Sequence, residues 1–355
     1  MGQKVKTIIA IALPLQVILV KWLANYPGLV EEYYSNGIYP YISQFLRILF
    51  GWVPFSVGDI FYTLLAFLAL RYIYKNHRFI RKRPLQFLKD IVVVLSIAYF
   101  TFHLFWGLNY YRQPITWKLQ IEKEYTMEEL VSINEYLIEK VNKYQVQITR
   151  DTTNMVKIPY SRKEIFKRTK EGYSNLSRHY PDFEYNTSSL KASLYSLPLT
   201  YMGYGGYLNP FSNEAQVNGL MPASRLPTVS GHEVGHQLGY SAEDATNLIG
   251  FLVTIKNDDI YFKHTAYSHA LGYCLSDLLR KDEVKFRELF EKLNPGVKKN
   301  FKEISEFWEQ YANPLEPVFK SVFSAFLKAN NQQEGIQSYN SVVGLVINYH
   351  EKYGF

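Results

Sequence analysis

A single cysteine, Cys274, in 355 residues excludes an intramolecular disulfide and any zinc cluster built on cysteine thiolates. Internal repeats, low-complexity tracts and Gly-Ser linkers are also missing, which removes solenoids and tethered modules from the candidate architectures. Acidic residues are absent between Lys75 and Lys89, where Lys75, Arg78, Arg81, Lys82, Arg83 and Lys89 stand together. That local imbalance accounts for much of the formal net charge of +7. Residues 1–108 hold 11 Lys/Arg against 4 Asp/Glu, whereas residues 109–355 hold 28 of each. The larger part of the chain is therefore neutral, which argues against a basic nucleic-acid groove and for charge that flanks a membrane. What is present is 47% hydrophobic and 16% aromatic residues, enough for a sizeable core and too much for a disordered chain.

Three apolar segments occupy the first 108 residues. Ile8 to Leu23 follows Lys4 and Lys6, Ile60 to Tyr74 carries only Thr63 and Arg71 as clear interruptions, and Ile91 to Leu108 holds only Ser96, Thr101 and His103 as polar side chains. The third approaches the ~20 residues that cross a bilayer, and three such segments in series read as an anchor rather than as buried core helices. The cationic stretch from Lys75 to Lys89 reads as a cytoplasmic loop. That places the N-terminus inside, residues 24–56 outside, and everything after Leu108 on the extracytoplasmic side. No small-x-small cleavage pattern follows Leu23, so the first segment reads as a signal anchor.

After Tyr110 the texture becomes that of an ordinary folded unit. Thr126-Met127-Glu128-Glu129 is a capping box that predicts a helix to about Gln147, and Ser161 to Glu164 opens another. Leu190 to Asn218 is rich in Tyr, Gly and Pro, with β-compatible runs at Leu190 to Leu197 and Glu214 to Asn218, and predicts a small sheet. Gly203, Gly205 and Gly206 lack the context of a dinucleotide fingerprint and read as a turn. Helical patterns resume at Leu226 and continue to the end of the chain.

The segment His232-Glu233-Val234-Gly235-His236 carries the chemistry. Residues four apart share one helix face, so both imidazoles can reach one metal ion, and Glu233 between them can act on a water without ligating. With eight histidines in the chain, chance gives this HExxH pattern with a probability below about 2%. Pro227 suits the first helical turn and Gly239 a helix end just beyond the second histidine. A catalytic zinc needs a third protein ligand and an open position. The next helix, starting near Ser241, offers Glu243, with Asn247 one turn further on to hold a ligand histidine. Asp244 is the first rival to Glu243, and His264 and His269 are more distant ones. Tyr201, Tyr204, Tyr207 and Tyr267 are candidate donors to a tetrahedral oxyanion.

HExxH followed closely by an acidic pair and Asn resembles the gluzincin branch of zinc metallopeptidases. The longer string Gly206-Tyr-Leu-Asn-Pro-Phe-Ser-Asn-Glu-Ala-Gln-Val-Asn218, followed by Leu226-Pro-Thr, HEVGH, Gln237, Gly239 and Glu243-Asp244, resembles an uncharacterised family of bacterial membrane proteins, the domain-of-unknown-function family 3810. The similarity extends to Pro54-Phe-Ser-Val-Gly-Asp59 and from Phe326 through Ser338-Tyr339. Relatives are expected to carry a Glu two positions after Glu243, where this chain has Ala245. By this resemblance an edge strand ahead of the metal helix would bind extended peptide, and Glu214, Gln216 and Asn218 are the expected substrate-binding residues on it. A carboxylate there would either hold a substrate amine and favour exopeptidase action or simply face solvent.

The expected whole is an N-terminal three-helix transmembrane anchor over residues 1–108, followed by a mainly helical α+β zincin-like domain with a small sheet over 109–355. The resemblance locates it in the bacterial inner membrane with the second unit on the periplasmic side. Its expected function is zinc-dependent peptide hydrolysis, with Zn²⁺ on His232, His236 and Glu243, Glu233 as general base, and Asn247 behind the ligands. The alternative is a non-catalytic zinc-binding sensor or scaffold. The bilayer and a peptide or protein substrate are the expected partners, nucleic acid is not, and no gating membrane partner can be named from the sequence.

Overall fold

The computed structural model describes residues 1–332, 335 and 341–355; Ser338-Tyr339 of the family-like string lie outside the described residues. Three helices, Gln3–Leu23, Val57–Lys82 and Pro84–Phe105, are long and apolar enough to cross a membrane, and their apolar side chains are mostly exposed. The first packs along the third, joined by Gln16 Nε2 to Ser96 Oγ at 3.2 Å and by the Lys6–Asp90 ion pair at 2.5 Å. The expected loop from Lys75 to Lys89 is instead helical except at Arg83. Pro84 fixes the first turn of the third helix, so the two helices meet at a sharp break at Arg83 and carry the other five cations on their own turns.

Residues 27–50 are helical too, and Tyr34 Oη donates to the carbonyls of His103 and Leu104 at the end of the third apolar helix, at 3.1 and 3.0 Å. A wide π-helical stretch, Val30–Ile38, runs into the helix Tyr39–Phe50. Glu31 pairs with Arg112 at 2.6 Å, and Tyr39, Ser43 and Arg47 reach residues of the C-terminal unit. This segment is thus part of the framework around the site.

Both capping boxes form as the sequence predicts, opening the helices Met127–Thr149 and Arg162–Ser177. Leu130, Ile133, Leu137 and Val141 lie on the buried face of the first, at the spacing of one helical stripe. The core is built by that helix, by Glu243–Ile255 and Ile260–Lys281, and by the C-terminal Val342–Tyr353.

The sheet is small and mixed: β1 (Leu190–Ala192), β2 (Gly206–Asn209) and β3 (Glu214–Val217), in the order β1-β3-β2. β1 is parallel to β3 and β2 antiparallel. This corrects the expectation of an edge strand at Glu214 to Asn218. That strand is central, its backbone groups paired on both sides, and β2 is an edge strand, lying in the glycine-rich stretch read as a turn. Only Gly203, with φ of 77°, keeps the turn conformation.

Candidate metal centre

The helix Leu226–Gln237 carries HEVGH. Pro227 stands in its first turn, and Gly239, with φ of 85°, follows its end in the left-handed conformation that favours glycine. Its C-terminal carbonyls are capped from the membrane-proximal segments. Trp106 Nε1 donates to His236 O at 2.9 Å, Tyr39 Oη and Ser43 Oγ donate to Gln237 O at 2.7 and 3.0 Å, and Arg112 donates to Gly239 O at 3.0 Å. These bonds satisfy groups that a helix end leaves unpaired. They also fix the register of the two histidines. Gln237 Nε2 bonds Ser189 O and Asn213 O, tying the same turn to the sheet.

Glu243–Ile255 crosses this helix where Gly231 meets Gly250: a Cβ on Gly250 would sit 2.6 Å from Thr228 O. The close approach brings Glu243 under the histidines. His232 Nδ1 lies 2.9 Å from Asn247 Oδ1, and His236 Nδ1 lies 2.7 Å from Tyr240 O. Both partners only accept there, so each imidazole donates from Nδ1 and its Nε2 is left with a lone pair. The two Nε2 atoms face each other at 3.1 Å, and Glu243 Oε2 lies 3.3 Å from one and 3.7 Å from the other. Two imidazole nitrogens and a carboxylate oxygen converge in a buried place able to hold a cation. A tetrahedral zinc with ligand bonds near 2.0–2.1 Å spaces its donors roughly 3.3 Å apart, and the three observed separations bracket that value. The residues fit the ion.

Glu233 completes a buried group of His232, Glu233 and His236 whose donor atoms lie within 4.8 Å of one another. Its Oε2 has no hydrogen-bond partner. Burial pushes its carboxyl up to about 7, against the lowering effect of the two imidazoles and with a smaller raising effect of Glu243. For Glu243 burial acts upward as well, but hydrogen bonding and charge from both histidines outweigh it and hold the group well below the usual carboxylate range. His236 is raised, because the bonds and charges of Glu243 and Glu233 exceed the lowering effect of burial.

The structure brings Glu243, not Asp244, to the imidazoles. Asp244 faces Lys123 Nζ at 2.5 Å, and Ala245 is buried in the core, so no third carboxylate competes from that position. Of the distant rivals, His264 lines a separate cavity, and His269 Nδ1 lies 2.5 Å from Arg225. Among the tyrosines, Tyr204 lines the cavities on both sides of the cluster and Tyr207 lines one of them with its hydroxyl on Asp59. Tyr201 is largely exposed and Tyr267 packs on Tyr144, neither at the site.

The substrate-binding expectation for Glu214, Gln216 and Asn218 is corrected: all three are fully buried and bonded within the fold. Glu214 pairs with Lys191 and accepts from Val57 N and Gly58 N at the start of the second apolar helix. Gln216 donates to Ser56 Oγ at 2.6 Å, and Asn218 to Thr200 Oγ1 at 2.8 Å. They tie the sheet and its flanking turn to the helix start at Ser56–Gly58 and to Thr200. Removing one partner of the Lys191–Glu214 pair would leave a buried charge, at ~3–5 kcal/mol.

Two cavities open from the cluster, both lined by His232, Glu233, Tyr204 and Gly206. One, of about 360 Å³, is the more polar of the two and includes Arg225, His269 and Tyr273. The other, of about 460 Å³, is walled by aromatic and aliphatic side chains, among them Trp106, Tyr110 and Phe323, with Tyr62 and Phe102 from the apolar helices. Sequence reasoning did not find these walls. The Trp and Tyr residues at the membrane boundary were the signal available.

A mainly helical protein with membrane-type helices and a buried His/Glu group able to hold a metal ion is the class that fold and site define. The chain belongs to the family described as "Protein of unknown function (DUF3810)", whose model matches residues 34–347. No curated protein and no solved structure shows detectable similarity to the chain.

Proposed function

We propose that this chain is a membrane-anchored zinc metallopeptidase, its zinc held by His232, His236 and Glu243. The observation that carries the reading is the pairing of a converged donor set with a buried carboxylate, Glu233, that has no hydrogen-bond partner and faces both open cavities. A purely structural site has no use for such a carboxylate, which disfavours the sensor or scaffold alternative.

Zinc, when bound, polarises the scissile carbonyl and acidifies a water. Glu233 then takes the proton of the attacking water at its carboxylate and returns it to the leaving nitrogen, a role its place between the two histidines and its unpaired Oε2 allow. β2 offers a free edge to an extended peptide, and Gly206 on it lines both cavities, so a peptide paired there passes from one cavity to the other beside Glu233. Trp106, Tyr110 and Phe323 fit a large apolar residue on one side of the cleaved bond. Asn247 and the carbonyl of Tyr240 hold the histidine rings. Digestion of a broad peptide library by the zinc-loaded, detergent-purified protein, read by mass spectrometry, tests the assignment.

Gly206 has no room for a side chain, since a Cβ would lie 2.5 Å from Glu233 Oε1 and from Gln216 O. Gly206→Ala is expected to lower hydrolysis at least ~10-fold by displacing the base, with zinc content unchanged. Loss of zinc instead would mean that the glycine supports the donor set.

The orientation proposed from the six cations puts the site on the extracytoplasmic side of the membrane. Cysteines at Arg81 and Lys143, both exposed, test it against a silent background because Cys274 is buried. An impermeant thiol reagent added to intact cells should label Lys143→Cys and spare Arg81→Cys. The reverse pattern overturns the orientation.

A further inference from the structure

The polar cavity beside the cluster contains a cation without a counter-charge. Arg225, the residue just before the motif helix, lines it together with His269 and Tyr273 from the helix Ile260–Lys281. The guanidinium donates to His269 Nδ1 at 2.5 Å, so that ring nitrogen is an acceptor and the imidazole is neutral. Tyr273, the other side chain that interacts with it, is neutral as well, since burial raises its hydroxyl above the usual tyrosine range. No acidic side chain pairs with Arg225 among the described residues. The second cation of this cavity, Lys320, differs: Glu316 neutralises it at 2.5 Å. Glu233, the acid in the cavity wall, takes its charge environment from the two motif histidines and Glu243, not from Arg225.

A guanidinium held by two neutral partners in a partly enclosed place keeps its full charge and its planar fork of donors. The groups it binds best are planar oxyanions, above all carboxylates, which it takes through two parallel hydrogen bonds. His269 and Tyr273 fix the fork and leave its remaining N–H groups to the cavity.

We propose that Arg225, positioned by His269 and Tyr273, is a carboxylate-binding subsite, and that the substrate carries a carboxylate on the side of the scissile bond opposite its apolar residue. The proposal rests on the peptidase reading for the word substrate, but the binding site itself does not. Two sources supply the same chemistry: the free C-terminus of a peptide, which would make the enzyme a carboxypeptidase, and an acidic side chain, which would make it an acid-selective endopeptidase. In either case Arg225 is a specificity-determining residue and takes no part in proton transfer.

The test is binding first, hydrolysis second. Short apolar peptides of one sequence are compared as C-terminal acid and C-terminal amide, and longer peptides blocked at both ends are compared with Glu or Gln beside the apolar residue. Affinity is measured by calorimetry on the full-length protein in detergent, loaded with zinc and also stripped of it. One acid of one pair should bind ~10- to 100-fold tighter than its neutral counterpart in both metal states, matching a charge-assisted bidentate contact. The free-acid arm identifies a carboxypeptidase and the Glu arm an endopeptidase. Arg225→Gln should abolish the difference while zinc content stays at the wild-type level, and Arg225→Lys should keep part of it.

Equal binding of acid and neutral peptides to the wild-type protein overturns the subsite, and this outcome does not depend on any variant folding. A preference that survives Arg225→Gln overturns it too. A preference lost in Arg225→Gln, without hydrolysis of any peptide by the zinc-loaded wild type, leaves the subsite standing and removes the peptidase reading. Hydrolysis with no preference does the opposite.

Discussion

Glu233→Gln is expected to leave one zinc bound per chain and to slow peptide hydrolysis ~10²- to 10⁴-fold, equivalent to ~3–5 kcal/mol in the barrier. The substitution keeps the size of the side chain and the helix that bears it. It removes the carboxylate whose Oε2 is buried without a partner and faces both cavities. An amide cannot accept the proton of the attacking water at neutral pH, while the donors of His232, His236 and Glu243 are unchanged. Parallel digests by wild type and variant, with zinc measured on the same samples, read the effect. Equal rates in the two proteins would show that Glu233 is not the base, and full rescue of a deletion phenotype by the variant would favour a scaffold.

Glu243→Ala is expected to weaken zinc binding by more than the ~10- to 100-fold typical of losing an outer partner, such as Asn247 behind His232. Its Oε2 is one of three converging donor atoms, so its loss leaves two imidazoles to hold the ion. Asp244→Ala changes a different contact. Its partner Lys123 is 40% exposed, which limits the ion pair to ~1 kcal/mol of stability at most, and zinc affinity should stay within a factor of a few of wild type. His232→Ala should lose metal and hydrolysis together. Competition with a chelator of known affinity separates these variants. If Asp244→Ala is the damaging change, or if neither carboxylate matters, the ligand assignment is wrong.

Much of this was legible in the sequence because it depends on local spacing. His232 and His236 share a helix face by periodicity alone, Thr126 and Ser161 announce their helices through capping boxes, and Gly239 marks a helix end. The three apolar helices followed from length and composition. Other features depend on contacts that pattern does not encode. Glu243 and Asp244 are adjacent on one helix, about 100° apart around its axis, and only the crossing at Gly231 and Gly250 decides which of them meets the imidazoles. β3 looked like an edge strand because its pairing with β1 on one side and β2 on the other is set by residues distant in the chain.

The stretch between the first two apolar helices reads from the sequence only as an external connection. It supplies Tyr39 and Ser43 to the end of the motif helix, roughly 200 residues away, and no local signal marks that. Glu214 reads from the sequence as a substrate-binding carboxylate. Its burial is explained by Lys191 and by the backbone N–H groups that open the second apolar helix. Arg225 escaped notice because its meaning lies in what does not pair with it, which can be seen only once the surrounding side chains are in place.

The most direct test of the central claim is the zinc content of the full-length protein in detergent together with the zinc-edge X-ray absorption spectrum. The account predicts one zinc per chain, bound only by nitrogen and oxygen donors, two of them imidazoles, with a position open to exchange. Zinc well below one per chain after loading, or a spectrum unaltered by His232→Ala, would contradict it.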